Sequence, residues 1–144
     1  MQNFEMTSRA LFFKSPRPND SRIGESVVSV TEAALTSAKP GYVLVGYPDD
    51  EGIRANHGRL GSAEGPDAIR SALYRLTPGR KDFPPIYDVG NLRIEGSLRE
   101  RQANALENAT NLFSKGHRLL ALGGGNDYAY PDVAGFLKNR KKKR

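Results

Sequence analysis

Cysteine is absent from the sequence, so no disulfide can brace the fold and no thiolate can hold a metal or attack a substrate. Any bound metal must sit on oxygen or imidazole, which favours a hard or borderline ion. No run of about 18 apolar residues occurs, so nothing is suited to span a bilayer. Met1 to Ala10 carries Glu5 and polar side chains where an export signal needs a basic start and an apolar core. A cytoplasmic chain is therefore expected.

A general basic character is also missing, although the net charge is +6. Lys138 and Arg140 to Arg144 place six positive charges in the last seven residues, and the rest balances at 16 basic against 16 acidic residues. The body of the chain thus carries no nucleic-acid signature. The tail reads as a solvated charge run, with contact to phosphate or an anionic surface as the alternative.

The 144 residues, with 38% hydrophobic content, are enough for one domain with a real core. The expected organisation is an irregular lead-in over 1–24, an α/β domain over 25–137 and a basic tail over 138–144. Pro16 and Pro18 prevent regular structure in the lead-in. Glu25 to Ala38 has a spacing compatible with a helix, although Val27, Val28 and Val30 are poor helix formers. Tyr42-Val43-Leu44-Val45-Gly46 is a continuous apolar run of the kind that forms a strand buried on both faces.

Tyr47 to Glu64 is polar and aperiodic, and reads as a loop at a strand end, where open α/β sheets place function. Glu64-Gly65-Pro66-Asp67 then opens a helix whose apolar face runs to Leu76. A second strand is expected over Pro85–Gly90, a long helix from Leu98 to Lys115 ended by Gly116, a third strand over His117–Leu122, and a final helix beginning at Asp132. This alternation predicts parallel strands joined by helical crossovers.

Three segments carry a resemblance in the same order along the chain. They are Gly46 to Arg70, with its Asn56-x-Gly58-Arg59 and Glu64-Gly65-Pro66-Asp67-Ala68-Ile69-Arg70 runs; Asp88-Val89-Gly90-Asn91; and Ala121-Leu122-Gly123-Gly124-Gly125-Asn126-Asp127. Together they resemble the front half of arginase-type ureohydrolases, and formimidoylglutamase-type members most. The resemblance spans roughly Tyr42 to Phe136. It implies a partial arginase-like three-layer αβα fold with a short parallel sheet of about three strands in the order 2-1-3. The third strand would then have an open edge, through which the chain could self-associate.

The resemblance further implies hydrolysis of an amidino or guanidino carbon by water held between two manganese ions, which make hydroxide available at neutral pH. The implied ligands are a histidine on the glycine loop, an Asp-x-His-x-Asp segment and an Asp-x-Asp segment. This chain has Asn126 in place of the histidine, followed by Asp127, and neither later segment occurs. An amide oxygen and a carboxylate are acceptable to manganese, but an amide is a weaker ligand than imidazole. Asn126 and Asp127 are thus either metal-site residues in a longer relative or residues that shape the loop by hydrogen bonding.

The chain alone is expected to be truncated, not to retain manganese and to be inactive. A non-catalytic binding or regulatory module is the alternative. A phosphate binder built on Gly123 to Gly125 is a third reading, weakened by the missing P-loop lysine. Asn56, His57 and Arg59 could line a substrate mouth, with Arg59 gripping a carboxylate, although a loop histidine ordinarily has no catalytic duty. His117 is expected to be structural, and Asp49, Asp50 and Glu51 form an acidic cluster that could attract a cation, with a solvated loop as the ordinary reading.

Overall fold

The computed structural model describes residues 3–79 and 82–141. Its strands are β1 (Phe4–Glu5), β2 (Val28–Ser29), β3 (Tyr42–Gly46), β4 (Ile86–Leu92) and β5 (Arg118–Leu122). Its α-helices are α1 (Ile23–Ser26), α2 (Glu32–Leu35), α3 (Glu51–Ala55), α4 (Gly65–Leu73), α5 (Leu98–Ser114) and α6 (Ala129–Lys141). Among the described residues no helix is long and apolar enough to cross a membrane.

The three principal strands are parallel, with β3 between β4 and β5. This is the expected 2-1-3 order. Val43, Leu44 and Val45 are almost wholly buried, because successive side chains point to opposite faces of a sheet that is covered on both sides. Val43 and Val45 join a core with Leu35, Val89, Ala105 and Leu112, beneath α2 and α5. Leu44 joins Val27, Tyr74 and Leu122 on the other face, packed by Phe12, Phe13 and Leu73. The result is the three-layer αβα arrangement.

The sheet has five strands rather than about three. Phe4–Glu5 pairs antiparallel with Leu92 and Asn91, and Val28–Ser29 pairs parallel with Tyr87 and Asp88. Gly90 permits the first pairing: its φ is +92°, and a Cβ there would collide with the Glu5 carbonyl. The helix expected over Glu25–Ala38 is not formed. Two short helices flank β2, and the Val30 N–H donates to the Asp88 carbonyl at 3.0 Å. A free edge of β4 rewards extended backbone in a segment rich in β-branched residues, and this tertiary pairing outweighs the helical spacing.

The long helix matches the sequence pattern. Ser97 and Glu100 form a capping box at the start of α5, and Gly116 follows its end with φ +83°. Helix α6 lies close against α5, where a Cβ on Gly135 would come within 2.8 Å of the Ala109 Cβ. It runs through the boundary expected at 138, so Lys138 and Arg140 sit in its last turns, favourably placed toward the negative end of the helix dipole.

Among the described residues β5 is hydrogen-bonded only to β3. Its outer edge is open, Leu120 is 40% exposed, and Val133, Phe136 and Leu137 of α6 are exposed as well. The edge strand carries no proline or bulge to discourage further pairing.

Candidate functional site

The C-terminal ends of β3 and β5 lie side by side, with Gly46 paired to Leu122. They deliver the loop after β3 and the glycine loop after β5 to one end of the sheet. Gly123 and Gly124 have φ of +67° and +78°, which a side chain rarely tolerates. A Cβ on Gly123 would strike Pro66, and one on Gly124 would come within 2.6 Å of the Tyr47 carbonyl oxygen. The glycines therefore let β5 end directly against the first turn of α4.

The loop after β3 is fastened rather than free. The Asp50 carboxylate accepts from the Gly61 N–H at 2.8 Å, the Ala63 N–H at 3.0 Å and the Ser62 hydroxyl. These bonds hold its carboxyl below the usual range, the Ser62 contact contributing most. Asp49 is buried and accepts from Arg101 Nε at 2.8 Å, the Tyr128 hydroxyl at 2.5 Å and the Glu51 N–H at 2.9 Å. Burial alone would raise its pKa, but the bonds from Tyr128, Glu51 and Arg101 outweigh burial and lower it. Arg101 also pairs with Glu51. The expectation of a solvated acidic cluster thus fails: two of the three acids staple the loop and the third extends the pair.

Tyr128 stacks on Tyr47 at 4.5 Å between ring centroids, and the Tyr47 hydroxyl donates to Asp132 Oδ1 at 2.6 Å. Burial lifts the Asp132 carboxyl to about 6 against the smaller opposing effect of that bond. Two carboxylates are therefore bridged by a stacked tyrosine pair beneath the glycine loop. Nothing local in the sequence links Asp49 to Arg101, which lie far apart along the chain, and sequence reasoning missed this network.

Asn126, Asp127 and Asn56 share an open depression of about 370 Å³ with Gly52, Ile53 and Ser62. Asp127 Oδ2 accepts from Gln102 Nε2 at 2.7 Å. A Cβ on Gly52 would come within 2.6 Å of the Asp127 carboxyl, so that glycine makes room for it. His57 and Arg59 are exposed and do not line the depression; His57 has φ +54° and turns the loop back. His117 is buried at the far end of the sheet, where Nδ1 accepts from the Gly41 N–H and Nε2 faces the Leu35 carbonyl, each at 3.2 Å. It is structural, as expected.

Among the described residues no group of three or more His, Asp or Glu could hold a metal ion. At the depression the side-chain donors are two amides, a hydroxyl that is given to Asp50, and a single carboxylate, one oxygen of which is already engaged by Gln102. Manganese takes several oxygen or imidazole ligands. The residues present do not fit a closed manganese site.

The family model described as the Arginase family matches residues 40–143. The formimidoylglutamase of Hahella chejuensis is 40% identical over 99 residues, covering 69% of this chain and 30% of that protein. The formimidoylglutamase of Aeromonas salmonicida is 34% identical over 146 residues, covering 96% of this chain and 45% of that one. The structure superposes on Trypanosoma cruzi formiminoglutamase with Mn2+ at a TM-score of 0.67 and 26% identity, covering 84% of this chain and 41% of that chain. An asparagine-to-histidine variant of the same enzyme, also with Mn2+, gives a TM-score of 0.65 at 27% identity. This chain spans less than half the length of each of these proteins. With the family model matching from the start of β3 onward and the expected strand order in place, the chain belongs to the arginase family and is related to its manganese-dependent formimidoylglutamases.

Proposed function

We propose that the chain supplies the front part of a formimidoylglutamase-type site, for hydrolysis of a C–N bond at an amidino or guanidino carbon, and does not turn over substrate by itself. The observation that carries this reading is the meeting of Asn56 with Asn126 and Asp127 in one depression at the C-terminal ends of two neighbouring parallel strands. Open α/β sheets bind ligands at that end. Asn126 and Asp127 mark the place of a metal and Asn56 lines the mouth, with His57 and Arg59 exposed on the same loop. The donor set is too small to hold manganese firmly, which is the reason for expecting no catalysis by this chain alone.

The test measures formamide release from formimidoylglutamate, and urea release from guanidino substrates, with the purified chain and added manganese. No turnover is expected. Adding the remaining portion of a formimidoylglutamase as a separate chain is expected to give manganese-dependent formamide release. Turnover by the chain alone would overturn the inactivity, and failure of the supplemented mixture, with both chains folded, would overturn the assigned role.

A further inference from the structure

At the opposite end of the sheet from the glycine loop, α2 and α5 flank the approach to β5 and enclose a cavity of about 290 Å³. Leu35 and Leu112, both buried, give it an apolar floor. Glu32 and Lys115 stand on its walls and make no ion pair with each other or with another described residue. Asn108 also lines it; this residue is only 4% exposed, and its Nδ2 has no hydrogen-bond partner among the described residues. Native folds rarely leave such a donor unmatched, and an unmatched one points to a missing acceptor.

We propose that this cavity binds a small zwitterion of the α-amino acid class, its ammonium toward Glu32 and its carboxylate toward Lys115 and Asn108. Three features converge on that ligand. The walls carry opposite charges that do not neutralise each other, the floor is suited to a short aliphatic group, and the spare amide donor requires an acceptor. Only one Glu32 oxygen is engaged, by the Asn3 N–H at 3.1 Å, which leaves the other for an ammonium. Burial raises the Glu32 carboxyl, and a cation beside it would relieve that cost. His117 borders the same space but has both ring nitrogens committed to backbone. The volume falls just below the range of about 300 to 1,000 Å³ found for drug-sized pockets, so the occupant is small. A water could satisfy Asn108 but would neutralise neither charge.

The site lies away from the depression at the glycine loop, so its fate is independent of the catalytic reading. The test titrates the purified chain with glycine and L-alanine, and with glycinamide and N-acetylglycine, which each lack one of the two charges. Calorimetry and the backbone amide signals of Leu112 to His117 report binding. Saturable binding of both amino acids is expected, weakened at least about tenfold by either blocked analogue and by Lys115→Met or Glu32→Gln. No saturable response up to on the order of 10 mM, with water alone filling the cavity, would overturn the proposal. So would equal responses to glycine and its two blocked analogues.

Discussion

Arg70 and Asp88 face each other with no exposure of either side chain: Arg70 Nε and one terminal nitrogen each lie 2.9 Å from a carboxylate oxygen of Asp88. The same guanidinium reaches the Gly90 carbonyl at 2.9 Å and Asn91 Oδ1 at 2.6 Å. The helix start that ends in Arg70 and the Asp88-Val89-Gly90-Asn91 strand are therefore two halves of one strut tying α4 to β4.

Removing one half of that strut strands a buried charge. Arg70→Met is expected to destabilise the chain by about 3 to 5 kcal/mol, because Asp88 loses its partner in a dry environment. A double replacement, Arg70→Met with Asp88→Leu, is expected to recover part of the loss. Urea unfolding of the two variants checks the order, and a double variant weaker than the single would count against the strut as described.

The carboxylates at either end of the tyrosine pair titrate in opposite senses. Asp49 has a lowered folded pKa, so its contribution is present above its unfolded value and is lost as pH falls through the folded one. Asp132 is raised from 3.8 to about 6, so its contribution is full below 3.8 and is lost as pH rises through about 6. Asp132→Asn keeps an acceptor for the Tyr47 hydroxyl without a charge. It is expected to stabilise the chain at a pH well above 6 and to lose that advantage below 3.8. Thermal unfolding of both forms across that window decides the matter; an unchanged difference at the two ends would refute the assignment.

Glycine is needed at the loop for two separable reasons. Gly123→Ala meets both a positive φ and Pro66, whereas Gly61→Ala meets only its φ of +127° with nothing within 4 Å. A strained backbone position costs of the order of 1 to 3 kcal/mol, so the Gly123 variant should lose distinctly more. Equal midpoints in denaturant would show that the loop yields to Pro66.

The open side of β5 predicts association that grows with concentration. Leu120→Lys places a charge on that exposed edge and should shift the chain toward monomer in sedimentation, with little change in stability. Persistence of the same oligomer would place the contact elsewhere.

The strands and the long helix were readable because β3 is a run of apolar residues between turn formers and α5 carries its own cap and terminator, whereas the 2-1-3 order followed from the family resemblance. Both signals are local. The segment over 25–38 misled because its fate depends on an unfilled edge of β4, which no window of local sequence contains. Of the residues singled out from the sequence, Asn56, Asn126 and Asp127 line one depression, whereas His57 and Arg59 do not border it. A left-handed turn at His57 sends that part of the loop outward.

The sequence by itself determined the α/β class, the three parallel strands and the glycine loop, because apolar runs, helix caps and glycines act over a few residues. Only the tertiary structure decided that the acids after β3 are staples, that Arg101 reaches back to hold Asp49, and that Asn108 is left with a spare donor. Each of these depends on which residue a distant element delivers, and in a buried setting that neighbour fixes whether a charge is paired, solvated or available to a ligand.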